Sequence, residues 1–341
     1  MRTRVGINGF GRIGRQSLRA VIERTPDVEV VAINDLVDAS MNALLFKHDS
    51  TYGAYPGSVD HTDAALIVDG REIRVFRESD PAALPWGDLG VDIVLESTGR
   101  FRDPGASQAH IDAGARKVII SAPAAGADVT LVLGVNEDRY DPDRHHVISN
   151  ASCTTNCLVP AVKVVHDLVG IERGLMNTVH SYTTSQRLLD TAHKDARRAR
   201  AAATNIVPTT SGATRSLGVV MPELEGKFNG FSLRVPTPTV SIVDFTADVA
   251  RPTSVDELNA AFRAAEAGPM QGILGVSDEP LVSSDFRGDS RSSIIDSSMT
   301  MVIEGTLIKV LAWYDNEWGF SCRVADLIGL VASKLPAASH A

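Results

Sequence analysis

The stretch Gly9-Phe10-Gly11-Arg12-Ile13-Gly14 constrains the fold more than any other. It is a G-x-G-x-x-G set between an apolar, strand-like run at 4–8 and a run with helical apolar spacing at 12–22. In that context Gly9 permits a tight turn, Gly11 lets the backbone approach a pyrophosphate, and Gly14 allows close packing of helix on strand. The helix N-terminus adds free N–H groups and a partial positive charge, which suit phosphates. A β-branched run at 28–34 ends at Asp35, about 20 residues beyond the glycines, where an acidic residue is expected. Its carboxylate would accept hydrogen bonds from the adenosine ribose and repel a 2′-phosphate, so NAD is expected rather than NADP. A glycine-rich turn that only joins strand to helix would not require the spaced acid.

Short apolar runs at 91–95 and 117–121 alternate with helical patterns at 41–46 and 106–115, which indicates βαβ units and a parallel sheet. Right-handed crossovers make this a doubly wound domain. The pattern changes near Ser149. Residues 153–169 have helical periodicity, and longer β-rich runs follow at 175–182, 231–236, 240–249 and 299–313, suggesting a largely antiparallel sheet. A helix is expected at 255–267, with Ser254 as N-cap and Glu257 three residues on, and a closing helix at 320–334. Residues 186–214 read as a long polar, Arg-rich loop, of a kind that is usually functional or packs on a partner. The expected fold class is α/β: a doubly wound parallel-sheet NAD-binding (Rossmann) domain plus an α+β catalytic domain with a largely antiparallel sheet. The expected boundaries are 1–150 for the NAD-binding domain, 151–316 for the catalytic domain, and 317–335 for a C-terminal helix packing back on the first.

Two domains also suit a chain of 341 residues that is 44% hydrophobic. The 33 basic and 42 acidic residues give a net charge of −9, a surface that repels nucleic acid and anionic membranes, so neither is expected as a partner. An anionic substrate must therefore be captured by a local cluster of donors. The three cysteines do not make a disulfide framework. The opening residues have no signal-peptide apolar region, and no run of ~20 apolar residues could span a bilayer. A cytoplasmic location is the expectation.

The segment 149–157 holds the strongest sign of chemistry. Cys153 follows small polar residues and opens a helix, where the dipole stabilises a thiolate. Such a thiol, with an ordinary pKa of ~8.5, needs a nearby histidine to lower it and to move a proton. His180, at the end of an apolar run, can project from a central strand, although spacing alone does not select it from nine histidines. Cys157 lies one turn beyond Cys153 on the same face. A lone cysteine is more often a small buried hydrophobe. Cys-x-x-x-Cys without a second ligand pair does not make a metal site, so no metal is expected.

These motifs, together with 6–15, 234–238 and 313–319, closely resemble those of phosphorylating glyceraldehyde-3-phosphate dehydrogenases, and the resemblance covers nearly the whole chain. By resemblance, Cys153 attacks the aldehyde carbon, His180 takes the hydroxyl proton, hydride passes to the nicotinamide, and inorganic phosphate releases the thioester as an acyl phosphate. The implied NAD channel comprises Gly9, Gly11, Arg12, Ile13, Gly14, Asp35, Thr98 and Ser121, with Asn316 on the nicotinamide carboxamide. Thr183 and Arg234 would hold the phosphate of the phosphorylated aldehyde. Ser152, Thr154, Ser211, Gly212 and Arg198 would hold the attacking phosphate. The resemblance also implies glycolytic or gluconeogenic use and a homotetramer, with 186–214 near a neighbouring subunit's cofactor.

The chain departs from the family pattern at several places. Thr184-Ser185 stands where Asn-Asp is usual, the phosphate loop reads Thr210-Ser211-Gly212, Phe320 replaces a tyrosine, Ala192 a proline, and Ser79 an arginine. The Ala192 change weakens the exclusion of NADP. The cluster of changes around Cys153 raises the expectation of an isoform tolerant of thiol-alkylating inhibitors. The same motifs also suit an erythrose-4-phosphate dehydrogenase-like activity, or a binding protein on a retired dehydrogenase fold.

Overall fold

A computed structural model describes residues 2–335. Its elements are β1 (Thr3–Asn8), α1 (Arg12–Arg24), β2 (Val28–Asn34), α2 (Ala39–Lys47), β3 (Val59–His61), β4 (Ala65–Val68), β5 (Arg71–Phe76), β6 (Ile93–Glu96), α3 (Pro104–Asp112), β7 (Lys117–Ile120), β8 (Val129–Thr130) and β9 (Val147–Ser149). There follow α4 (Cys153–Val169), β10 (Ile171–Ser181), β11 (Val207–Thr210), α5 (Ala213–Val220), β12 (Phe228–Val235), β13 (Ser241–Val249), α6 (Val255–Ala267), β14 (Leu274–Ser277), β15 (Ser293–Asp296), β16 (Met301–Ile303), β17 (Leu307–Tyr314) and α7 (Trp318–Ser333). Within the described chain two compact units separate: residues 2–131, 138–151 and 321–335, and residues 132–137 and 152–320.

The first unit is built on a sheet of order β8-β9-β7-β6-β1-β2-β5-β4-β3. Every pairing from β8 to β5 is parallel, and the last two strands turn back antiparallel. A parallel strand is covered on both faces, and β6 and β7 are accordingly apolar but for Glu96 and Lys117 at their ends, as β1 is over its Val5–Ile7 stretch, with Ile7, Ile93, Leu95 and Ile119 sealed from solvent. Chain direction across the sheet reverses beside β1, which opens a crevice beyond the C-terminal ends of β1 and β6. From Ser321 onward α7 belongs to this unit, and Arg24 Nε and Nη2 donate to Asp326 at 2.8 and 3.0 Å.

In the second unit the strand order is β11-β12-β10-β13-β17-β15-β14, with β16 paired to β17. The sheet is largely antiparallel, but β10 with β12 and β14 with β15 are parallel. Helix α4 buries Leu158, Val162 and Val165, each worth about 2 kcal/mol of apolar burial. Helix α6 starts at its Ser254 cap, whose Oγ accepts from Glu257 N–H at 3.2 Å.

The structure amends the sequence reading in three places. Residues 299–313 form two strands, because Glu304 and Gly305 take positive φ (50° and 74°) and turn the chain. The loop expected at 186–214 contains β11 and the start of α5. Strands β3–β5 were not anticipated: β3 and β5 mix polar with apolar residues, and the buried apolar run of β4 is only four residues long. No helix among the described residues is long and apolar enough to cross a membrane.

Candidate active site

Cys153 is the first residue of α4, and Ser152 is its cap. Ser152 is extended (φ −112°, ψ 165°) and its Oγ accepts from Thr155 N–H at 3.1 Å. The cap satisfies one first-turn N–H and leaves the dipole's positive end at the sulfur. His180 is the penultimate residue of β10, and Arg234 on β12 is its partner in the parallel register. The register therefore places these two side chains on one face of the sheet. Cys153 Sγ and His180 Nε2 are 3.6 Å apart.

The protonation state of the imidazole follows from its surroundings. His180 Nδ1 lies 2.7 Å from Ser181 O and 3.0 Å from Arg234 Nη1; the shorter contact, to an oxygen that can only accept, assigns the hydrogen to Nδ1, and the guanidinium N–H is satisfied by the same carbonyl. Nε2 is then the bare acceptor, and it faces the sulfur. Arg234 Nη1 donates to the same carbonyl at 3.1 Å and to Thr183 Oγ1 at 3.4 Å. Burial, reinforced by the Arg234 guanidinium, pulls the His180 pKa down to about 3. Burial pushes the Cys153 thiol above its ordinary value, against the opposing pull of Arg234 and of hydrogen bonds from Thr154. The resting pair is thus a thiol beside a neutral base. Negative charge forming beside Nε2 raises that base toward protonation.

The depressed histidine makes stability depend on pH. Unfolded, His180 protonates near 6.5; folded, it stays neutral to about 3. Its contribution is therefore fully present above pH 6.5 and is lost progressively as pH falls toward 3. Between pH 8 and pH 5 the wild-type chain should lose about 2 kcal/mol more than His180→Gln, at 1.36 kcal/mol per unit below the unfolded pKa. Urea unfolding of both proteins at the two pH values measures the difference, and parallel losses would contradict it.

Tyr314 closes the back of the site. Its phenol oxygen lies 2.9 Å from both Thr154 Oγ1 and Thr178 Oγ1, and its ring stands edge-on to His180. Burial holds the phenol well above its ordinary pKa, so it stays a donor. The Thr154 hydroxyl is thereby already engaged, as is that of Ser152, which also lies 2.8 Å from Thr155 Oγ1.

Donors for anions form a chain away from the sulfur. Thr183 Oγ1 lies 2.9 Å from Ser185 Oγ, to which Arg198 Nη1 donates at 3.4 Å. Arg198 Nε donates to Thr209 Oγ1 at 2.8 Å. Arg234 Nε is buried with no hydrogen-bond partner, an orphaned cationic donor that suits an incoming oxyanion. Ser211 and Gly212 follow β11 directly and open α5; Gly212 is its N-cap, and Ser211 Oγ accepts from Ala213 N–H at 3.3 Å. Hydrogen bonds thus link Cys153, His180, Arg234, Thr183 and Arg198 into one cluster, while Ser152, Thr154 and Ser211 also make local bonds, to backbone N–H groups, Thr155 and Tyr314.

Of the cofactor candidates in the first unit, Gly9, Gly11, Asp35 and Thr98 line one cavity at the crevice. Gly9 has φ 92°, and a Cβ there would lie 2.6 Å from Thr98 N. A Cβ on Gly14 would meet Gly9 O at 2.1 Å, whereas at Gly11 it would meet nothing within 4 Å. Gly11 also caps α1 without a side-chain hydrogen bond, and a helix N-terminus of this kind suits a phosphate. Asp35 Oδ2 accepts from Phe10 N–H at 2.8 Å and lines, with Asn34, Ser79 and Thr98, a cavity of ≈ 250 Å³. These features fit a dinucleotide: a phosphate cradle with an adenosine pocket beside it. Arg12 pairs with Asp49, while Ile13 is half-buried in the first turn of α1. Ser121 Oγ donates to Glu96 O at 3.1 Å. Asn316, in the second unit, is buried.

Sequence reasoning missed Glu96. Its sealed carboxylate accepts from Asn8 Nδ2 (2.6 Å), Thr98 N–H (2.8 Å), Thr98 Oγ1 (2.5 Å) and His110 Nε2 (3.2 Å). The Trp86 indole donates to His110 Nδ1 at 3.0 Å, so Nε2 must carry the other hydrogen. A glutamate closing an apolar strand was the available signal. Tyr314 offered none, since an aromatic alternating with Ala312 reads as core. Among the described residues no group of three or more His, Cys, Asp or Glu is placed to hold a metal.

Comparison with known proteins agrees with this geometry. Residues 3–104 match the family described as glyceraldehyde 3-phosphate dehydrogenase, NAD binding domain, and residues 152–316 match its C-terminal domain. The glyceraldehyde-3-phosphate dehydrogenase of Geobacillus stearothermophilus is 56% identical over 334 residues, covering 98% of this chain and 99% of that protein. Glyceraldehyde-3-phosphate dehydrogenase 2 of Streptomyces avermitilis is 54% identical, covering 98% and 100%. Glyceraldehyde-3-phosphate dehydrogenase 1 of Bacillus subtilis is 54% identical, covering 98% and 99%.

Proposed function

Since the chain belongs to the glyceraldehyde-3-phosphate dehydrogenase family and so oxidises glyceraldehyde 3-phosphate with NAD in glycolysis, we propose that Cys153 carries the acyl group and inorganic phosphate removes it. The observation that carries this reading is the 3.6 Å approach of Sγ to an unprotonated Nε2. Sγ attacks the aldehyde carbon, and the thiol proton passes to His180 Nε2. The Cys153 backbone N–H, at the positive end of α4, faces the oxyanion that develops. Nε2–H returns that proton to the oxyanion, which gives the hemiacetal hydroxyl, and takes it back as hydride leaves the carbon and the thioester forms. NAD, when bound, supplies the acceptor for the hydride. A phosphate oxygen then attacks the thioester carbonyl, the C–S bond breaks, and the sulfur leaves as the thiolate.

Arg234 and Thr183 take the substrate's phosphate, and the partnerless Arg234 Nε supports that assignment. Ser152, Thr154, Arg198, Ser211 and Gly212 take the attacking phosphate, Ser152 being also the cap of α4 and Thr154 the partner of Tyr314. Gly9, Gly11, Arg12, Ile13, Gly14, Asp35, Thr98 and Ser121 hold NAD, and Asn316 holds its carboxamide. The two compact units act as the NAD-binding and catalytic domains. Omitting phosphate tests the scheme: NADH should appear only as a burst of about one equivalent per chain, from Cys153 alone, then resume on adding phosphate. Steady turnover without phosphate would favour a hydrolytic enzyme.

The reading includes a homotetramer. One face of the second sheet exposes Leu175 (68%), Phe231 (50%) and Ile303 (60%), an apolar surface suited to another copy of the chain. Leu188 and Leu189 are exposed as well, within the segment expected near a neighbouring subunit. It also includes the cytoplasm, where three free cysteines stay reduced.

A further inference from the structure

Asn316 sits between two buried serines. Ser181 Oγ lies 2.8 Å and Ser241 Oγ 3.0 Å from the same amide oxygen, Oδ1. Ser241 Oγ already accepts from Ser181 N–H at 3.1 Å, so its own hydrogen must find an acceptor. All three side chains are almost wholly buried. A carboxamide oxygen has two lone pairs and can accept from both hydroxyls. Turned the other way, the amide nitrogen would meet the two hydroxyls and leave both hydroxyl hydrogens without that acceptor. Satisfaction of the cluster therefore decides the amide orientation. Asn316 Nδ2 makes no hydrogen bond to any described residue and is not sealed from solvent.

We infer that Ser181 and Ser241 are positioning residues that lock Asn316 with its amide nitrogen outward, so that the cofactor ring is read only through a hydrogen-bond acceptor on its 3-substituent. The inference rests on the assignment of Asn316 to the nicotinamide carboxamide. The clamp lets Nδ2 donate to the carboxamide oxygen and sets the rotation of that group on the ring. It refuses a ring that offers a donor in the same place, because accepting one would require turning Asn316 and breaking two buried hydroxyl bonds. Two such bonds correspond to a bias of roughly 30-fold.

Three ligands separate this role from simple damage: NAD, its 3-aminopyridine analogue, which presents only a donor, and ADP-ribose, which lacks the ring. Their dissociation constants are measured by calorimetry on the intact oligomer for the wild-type chain, Ser241→Ala and the double variant Ser181→Ala/Ser241→Ala. In the double variant the preference for NAD over the aminopyridine analogue should fall by about tenfold or more, chiefly through tighter binding of the analogue. ADP-ribose should bind as in the wild type, which shows that the nucleotide site is intact, and Ser241→Ala should be intermediate. An unchanged preference, or equal weakening of all three ligands, would overturn the inference. Equal affinity of the wild-type chain for NAD and ADP-ribose would instead remove the Asn316 assignment, and the inference with it.

Discussion

Cys153→Ser is expected to lower kcat by about 10⁴-fold or more while leaving NAD affinity within about a factor of two. The substitution keeps the size and position of the side chain, the Ser152 cap and the Tyr314 bridge. What changes is the nucleophile. A hydroxyl at this position would have to give up its proton to an imidazole whose pKa burial already holds near 3. It would then form an ester rather than a thioester, a poorer acyl donor to phosphate. Mass spectrometry of the wild-type chain incubated with labelled aldehyde and NAD, without phosphate, should place the label on Cys153. Activity of the serine variant within tenfold of wild type would disprove the role given to the sulfur.

Gly9→Ala is expected to weaken binding of both NAD and ADP-ribose by about 100-fold or more. The residue has φ 92°, a region that costs other residues about 1–2 kcal/mol. Its new Cβ would also lie 2.6 Å from Thr98 N and 2.8 Å from the Ser97 carbonyl carbon. Both neighbours are backbone at the end of β6, so the crevice must widen to admit the methyl. Gly11→Ala is the control, since no protein atom lies within 4 Å of its Cβ. Its effect on the melting temperature should be limited to the difference between glycine and alanine at a helix cap, well below that of Gly9→Ala. Calorimetry and thermal unfolding of both variants give the comparison, and intact nucleotide affinity in Gly9→Ala would refute the cradle.

The sequence revealed most where one local cause acted. The α4 and α6 boundaries were legible because apolar periodicity runs over 153–169 and because Ser254 and Glu257 mark the start of the second. The Gly9–Gly14 turn and Asp35 were legible because spacing encodes the nucleotide turn. His180 was not distinguishable from the other histidines by any neighbour in sequence. Its partner, Arg234, is 54 residues away and meets it only through the parallel register of β10 and β12. Glu96, Tyr314 and the serines around Asn316 were hidden for the same reason: each acts through residues brought close by the sheet. Thr154 is similar: its bond to Tyr314, 160 residues away, could not be read from its place beside the nucleophile.

The Glu96 carboxylate has a consequence for how the nucleotide arrives. Main-chain and side-chain donors of Thr98, with those of Asn8 and His110, converge on it inside the free protein. The rim of the crevice is therefore shaped when the chain folds, and an arriving dinucleotide meets a finished mould. Little of its interaction energy goes into ordering that rim.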